Sequence, residues 1–128
     1  MPDRAIYEWA IIRLVPVVER GEYINVGVIL FSKMKKYLDM RYHLDVDRLK
    51  LFAGDLDIES LKNYLDAWEK VCHGGTAGGA IGQLEMPLRF RWLTAARSTI
   101  IQSSKVHSGI CSDPKQVLDD LFGYYVLQ

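Results

Sequence analysis

Residues 19–31 read ERGEYINVGVILF, a charged turn that runs into an apolar segment. The segment is rich in β-branched and aromatic residues, which is typical of a buried β-strand. Alternation along the strand predicts one apolar face for the core, formed by Ile24, Val26, Val28 and Leu30. Asn25 and Gly27 then fall on the other face, where a polar group and a close backbone approach are expected. That polar group is either the protein's own residues 89–97 or an outside ligand.

Similar segments flank this strand on both sides. Residues 7–18 and 37–44 also read as strands, and turns at Gly21 and at the charged residues 33–36 connect the three into an antiparallel meander. Residues 98–103 predict a short fourth strand, with 106–110 as an extension of it. The glycine-rich residues 73–82 are interpreted as a mobile loop because they match neither phosphate-binding glycine pattern.

Helix signals follow the meander. Asp57 is a predicted N-cap with apolar residues at helical spacing behind it, and Asp113-Pro114-Lys115-Gln116 predicts the start of a last helix with a capping box. A helical turn is expected at 47–52, and residues 87–97 are either a short helix or irregular. The sequence therefore predicts a single α+β domain, 1–128, with a small antiparallel sheet of about four strands and helices packed on one face.

Composition and charge exclude several classes of protein. The 128 residues carry 16 Lys/Arg and 16 Asp/Glu, and a net charge of zero argues against indiscriminate nucleic-acid binding. No apolar run approaches the roughly 18 residues of a membrane span, and no secretory signal is visible, so a cytoplasmic protein without a membrane partner is expected. Cys72 and Cys111 belong to no metal-binding motif, and neither a metal nor a cofactor is predicted.

One candidate site is a basic and aromatic segment. Residues 71–112 carry four Lys/Arg against Glu85 alone, and the segment contains Arg89, Arg91, Trp92, Arg97, Ser98, Lys105 and His107. Arginine beside aromatic residues suits phosphate contacts and base stacking. It equally suits a protein interface. A third interpretation is structural, with the aromatic residues in the core and the arginines paired with carboxylates.

A second candidate lies around the charged turn and includes Glu19, Arg20, Glu22 and Asn25, with Arg13, Arg41 and His43 nearby. Two carboxylates beside an amide could hold a divalent metal or perform acid–base chemistry. The alternative is a solvated turn with surface ion pairs. None of the three histidines belongs to a catalytic motif, so the catalytic residues stay unassigned and a non-enzymatic protein is favoured.

Several segments in order resemble the bacterial domain-of-unknown-function family 3037. They are residues 20–31, the glycine-rich 74–84, RFRWLTA at 89–95, RSTI at 97–100, VHSG at 106–109 and Asp113-Pro114. Ala96 departs from the pattern, which has proline there. The resemblance implies a small stand-alone prokaryotic protein, often encoded beside HipA-like kinases, and implies no catalytic residue. It directs attention to Asn25, Gly27, Arg89, Arg91, Trp92, Arg97, Ser98 and His107.

The resulting hypothesis is a non-enzymatic interaction or accessory module with a protein partner such as a HipA-like kinase. One alternative is a nucleic-acid or nucleotide binder that uses residues 89–97. Another is a small metal-dependent hydrolase that uses Glu19, Glu22, Asn25 and His107. The candidate ligand- or partner-binding residues are Arg20, Glu22, Asn25, Gly27, Arg89, Arg91, Trp92, Arg97, Ser98 and His107.

Overall fold

Five antiparallel strands form one sheet in the computed structural model, which describes residues 3–128. They are β1 (Ala5–Leu14), β2 (Ile24–Ser32), β3 (Tyr37–Tyr42), β4 (Ile101–Ser103) and β5 (His107–Cys111). The predicted α+β class and the meander are confirmed, since the strands lie in the order β3-β2-β1. β4 and β5 both pair with the outer side of β1, one along each half.

The fifth strand was expected only as an extension of β4. The two strands are separate because Ser104 interrupts the ladder: its hydroxyl, rather than a backbone carbonyl, accepts the N–H of Ile11 at 2.8 Å. The backbone N–H of Ser104 still donates to the Ile11 carbonyl. Pairing therefore shifts by one residue before it resumes at His107 opposite Trp9.

Five helices complete the fold: α1 (Val46–Phe52), α2 (Ile58–His73), α3 (Gly79–Gly82), α4 (Met86–Thr94) and α5 (Pro114–Tyr125). Both predicted N-caps are confirmed, because Asp57 accepts the Ser60 N–H and Asp113 accepts the Gln116 N–H. The capping box at α5 is only half formed, since the Gln116 side chain donates to Asp120. Within residues 3–128, none of the helices combines the length and the apolar character that crossing a membrane requires.

The glycine-rich segment forms an ordered corner between α2 and α4 instead of the expected loop. It contains a 3-10 turn (Thr76–Gly78) followed by α3. The Gly75 N–H donates to the Gly82 carbonyl at 2.8 Å. A Cβ on Gly82 would lie 2.6 Å from the Gly75 oxygen, so the close approach requires glycine there.

Helices cover both faces of the sheet, whereas one face was expected. On the first face, α2 and α4 bury a core whose central members are Ile12, Phe31, Met40, Leu65, Trp68, Phe90 and Leu93. On the second face, α5 packs Leu118 and Val126 against Val28 and Leu30 of β2. β2 is therefore buried on both sides, which agrees with its nearly continuous apolar sequence.

A β-bulge in β2 explains why the predicted face is wrong. Ile12 pairs with Gly27 and Arg13 pairs with Asn25, so Val26 has no residue opposite it. The extra residue shifts the alternation, and Ile24 and Val26 therefore share the first face with Ile29 and Phe31. Val28 and Leu30 point to the second face.

Candidate protein interface

Helix α4 has one buried side and one exposed side. Arg89, Phe90 and Leu93 are buried against the first face of the sheet. Leu88 and Trp92 point away from that core, with 44% and 37% of their surface exposed. Arg91 is exposed between them. Spacings of three and four residues place Leu88, Arg91 and Trp92 on one side of the helix, which we call the outer face of α4.

Local sequence explains where α4 begins and ends. Pro87 lies in the first turn, where its missing N–H costs nothing. The helix ends at Thr94, whose hydroxyl donates to the Phe90 carbonyl at 2.8 Å, and Ala95 is extended. Of the two interpretations of residues 87–97, the short helix is the one observed.

Arg97 folds back onto the exposed tryptophan of this helix. Its Cζ lies 4.7 Å from the centroid of the Trp92 ring and 5.2 Å from that of Trp68, and the guanidinium also donates to the Trp92 carbonyl. Cation–π contact on one ring and a hydrogen bond to the same residue restrict the orientation of Trp92. An exposed aromatic side chain that is already ordered loses less entropy when it binds a partner.

Arg89 is used within the fold. Its guanidinium donates to the carbonyls of Val71 at 3.0 Å, Cys72 at 2.6 Å and Leu84 at 3.0 Å. The first two carbonyls are at the C-terminus of α2, where a positive charge is favourable. A Cβ on Gly74, which has a φ of 78°, would lie 2.7 Å from Arg89 Nη1. Arg89 therefore caps α2 and is separated from the outer face of α4.

The charges near α4 lack the carboxylate partners that the structural interpretation expected. In the part of the chain that the structure describes, no Asp or Glu oxygen lies within 4.0 Å of a side-chain nitrogen of Arg89, Arg91 or Arg97. Ser98 is exposed beyond the helix, next to Arg97 in sequence. The outer face of α4 is thus apolar at Leu88 and Trp92 and positive at Arg91 between them, with Arg97 beside it.

Asn25 and His107 are both on the second face of the sheet, but they are not neighbours, since they pair with Arg13 and Trp9 of β1. Asn25 Nδ2 donates to the carbonyl of Tyr125 at 3.2 Å, so its polar contact is the C-terminal end of α5 and not residues 89–97. The centroid of the Trp9 ring lies 5.3 Å from that of Tyr125 and 4.8 Å from that of His107. Gly27 lies at the bulge, where a Cβ would be 2.6 Å from the Arg41 carbonyl oxygen.

A cavity of about 320 Å³ lies beside Asn25 and is lined also by His43, Asp45, Arg48 and Val126. Asn25 Oδ1 is buried and has no hydrogen-bond partner among the described residues. The same is true of Nε of Arg13, which pairs directly opposite Asn25 in the sheet. One is a donor and the other an acceptor on facing residues, so a water that bridged the two atoms would satisfy both.

The residues of the hydrolase alternative do not converge. Arg20 and Glu22 form an exposed ion pair at 2.8 Å, and Glu19 lies beside Arg20 in a 3-10 turn (Val18–Arg20). Asn25 and His107 pair with Arg13 and Trp9, four positions apart on β1 and so about 13 Å apart along the strand. Across residues 3–128, no three His, Cys, Asp or Glu side chains cluster closely enough to hold a metal ion.

Leu88 is the residue of the outer face of α4 that sequence reasoning missed. It lies four residues before Trp92, a spacing that the sequence already contains, but only a helical assignment for 87–97 makes the two neighbours. Sequence reasoning also did not connect Trp68 of α2 with Arg97, whose Cζ lies 5.2 Å from the centroid of the Trp68 ring. The pair of tryptophans that holds this arginine comes from α2 and α4, which are far apart in sequence.

The chain matches a protein-family model over nearly its whole length. A model described as a protein of unknown function, DUF3037, matches residues 9–126. The chain belongs to this family. The match extends from β1 through α5, and it includes both cores and the outer face of α4. No curated protein and no solved structure matches the DUF3037 chain.

Proposed function

We propose that this DUF3037 protein acts in the cytoplasm as a non-enzymatic interaction or accessory module that binds a protein partner through the outer face of α4. The supporting observation is that Trp92 is exposed, ordered by Arg97 and flanked by Leu88 and Arg91. Tryptophan and arginine are the residues that most often dominate binding energy at protein interfaces.

Charge defines the chemistry of the partner. Residues 71–112 carry a net charge of +3, and neither Arg91 nor Arg97 has a carboxylate neighbour within the described chain. A segment with an apolar side chain for Leu88 and Trp92 and with acidic residues beside it would complement this surface. A HipA-like kinase is the candidate partner that the family resemblance suggests.

The test is a pull-down of the tagged protein from its native host, with and without nuclease, followed by binding titrations with the recovered partner. A HipA-like kinase from the same genome is tested in parallel as purified prey. Trp92→Ala and Arg91→Glu should each weaken binding at least about tenfold, since both residues are expected at the centre of the contact. Leu51→Ala is the control, because Leu51 is an equally apolar and highly exposed residue of another helix, α1.

Thermal unfolding of each variant separates lost binding from lost folding. The proposed site would be contradicted by a protein partner that stays bound after nuclease treatment and binds both α4 variants as tightly as the wild type. A partner released by nuclease, or nucleic acid recovered directly, would favour the nucleic-acid alternative, for which Arg91, Trp92 and Arg97 supply cations beside an aromatic ring.

A further inference from the structure

The outer side of β5 is an open sheet edge. Odd-numbered residues of β1 bond toward this side, as the hydrogen bonds between Ile11 and Ser104 demonstrate. His107, Gly109 and Cys111 pair with such residues, so the intervening Ser108 and Ile110 turn their N–H and C=O groups outward. Among the described residues, no hydrogen-bond partner is observed for these outward groups.

Apolar side chains border the same edge. Ile110 pairs with Ile6 across β1 and β5, on the first face but beyond the helices, and 67% and 65% of their surfaces are exposed. Val106 precedes them on the same side of the edge and is also exposed. Exposed apolar residues beside unpaired backbone groups are the combination that adds another strand.

We propose that this edge binds a second copy of the chain, with β5 pairing antiparallel to β5 of the second copy about a two-fold axis at Gly109. The arrangement is isologous, since each copy contributes the same residues. Ile110 of each copy then lies opposite Ser108 of the other. The outward N–H and C=O groups of these two residues form hydrogen bonds between the copies. The two five-stranded sheets then form one continuous sheet.

Charge complementarity selects this register and this occupant. Lys105 and Asp113 lie just outside β5, four positions on either side of Gly109, so this register brings opposite charges together at both ends of the paired strands. On the first face, Ile110 becomes a diagonal neighbour of both Val106 and Ile110 of the second copy. β5 itself contains no Asp, Glu, Lys or Arg that would repel a second copy. The paired strands are short, which predicts a weak dimer with a Kd of about micromolar order.

The experiment compares two substitutions of one residue, Ser108→Pro and Ser108→Ala, by sedimentation over a range of concentrations. Because the Ser108 N–H points away from β1, proline removes a bond to the second copy and none within the chain. Ser108→Pro should raise the dimer Kd at least about tenfold, and Ser108→Ala, which keeps the N–H, should leave it within about twofold. Lys105→Glu should weaken the dimer severalfold, since it would place like charges opposite each other.

Amide hydrogen exchange provides a second readout that needs no variant. In the proposed dimer the Ser108 and Ile110 amides become protected as concentration rises, while those of an exposed helix such as α1 do not change. A protein that stays monomeric at about 100 times the expected Kd would overturn the proposal. So would a dimer that Ser108→Pro leaves intact, or protection of these amides only after another protein is added, which would make a partner strand the occupant.

Discussion

The two edges of the sheet differ in whether their outward backbone groups have hydrogen-bond partners. At the β3 edge, the outward backbone groups of Met40 are satisfied by neighbouring side chains: Asp39 Oδ1 accepts its N–H at 2.8 Å, and Arg41 Nη1 donates to its carbonyl at 3.0 Å. Asp39 and Arg41 are also ion-paired to each other at 2.8 Å. At the β5 edge, the corresponding groups of Ser108 and Ile110 have no such partners among residues 3–128.

This difference leaves β5 less protected than β3 and favours β5 as the edge that binds another strand. Natural sheets protect free edges with charged side chains, because an unprotected edge pairs with other chains. β3 follows that rule with an acid and a base in one six-residue strand, and β5 has neither. One sheet therefore contains both a protected edge and an unprotected one. The lack of protection is a local property of β5 and not of the fold.

Replacing Gly27 should cause the largest loss of stability, since it disturbs the pairing of β2 with the edge strand β3. A Cβ there would lie 2.6 Å from the Arg41 backbone oxygen and 3.1 Å from Ile12 Cδ1. Backbone cannot move aside without losing the β2–β3 pairing, so Gly27→Ala should lower the free energy of unfolding by about 2–3 kcal/mol. Urea denaturation measures it, and a loss below the uncertainty of the extrapolation would contradict the close packing at the bulge.

The bulge also marks the limit of what the sequence predicts about the fold. Composition and alternation located all three strands of the meander and predicted that Asn25 faces away from Ile24 and Val26. They could not locate the extra residue, because a bulge is defined by the partner strand: only the pairing of Ile12 with Gly27 and of Arg13 with Asn25 reveals it. The same unseen shift moved Val28 and Leu30 to the second face, where α5 covers them.

The next test removes the side chain that protects the β3 edge. Asp39→Ala removes the acceptor of the Met40 N–H and the partner of Arg41, and His73 Nε2 loses a contact at 3.1 Å. The expected loss in free energy of unfolding is about 1–2 kcal/mol, since the side chain is partly buried and charge-assisted bonds are lost. Asp119→Ala is the matched control, because Asp119 lies 3.5 Å from Arg41 but does not contact the edge backbone.

The contribution of Asp39 should depend on pH. Burial works to raise the pKa of this carboxyl, but hydrogen bonds from Arg41, the Met40 N–H and His73 outweigh it, and the pKa is lowered from its ordinary value of 3.8. A lowered folded pKa gives stability that is complete well above 3.8 and is lost as pH falls below 3.8 and through the lowered folded pKa. The difference between the wild type and Asp39→Ala should therefore be present at pH 7 and shrink below about pH 4.

The difference between the two proteins is the quantity to follow, since other groups titrate in both. Burial raises the pKa of Glu69 on α2, which acts in the opposite direction in both proteins. Denaturation midpoints at pH 7 and pH 3 for both proteins suffice. A difference that stayed equal at the two pH values would mean that the Asp39 charge does not close the edge.

The candidate interface was only partly predictable, and two arginines explain why. Arg89 and Arg91 are two residues apart and looked equivalent in the sequence. On a helix, that spacing places them about 200° apart, so one is buried at the end of α2 and the other is exposed. The segment has apolar residues on both sides, so periodicity alone did not identify a helix or its outer face. The cap that Arg89 forms depends on where α2 ends in space.

The smallest expected loss of stability is for Gly109→Ala at the β5 edge, which is the counterpart of Gly27→Ala. A Cβ on Gly109 would lie 2.5 Å from the Tyr7 hydroxyl and 2.6 Å from Tyr7 Cζ, which are the far end of a side chain and not backbone. Tyr7 can rotate toward solvent, so Gly109→Ala should cost less than about 1 kcal/mol of folding free energy. A cost equal to that of Gly27→Ala would show that the β5 edge is as rigidly packed as β2 and β3. Because Gly109 lies on the proposed two-fold axis, the displaced Tyr7 should instead weaken the dimer, which sedimentation of the folded variant detects.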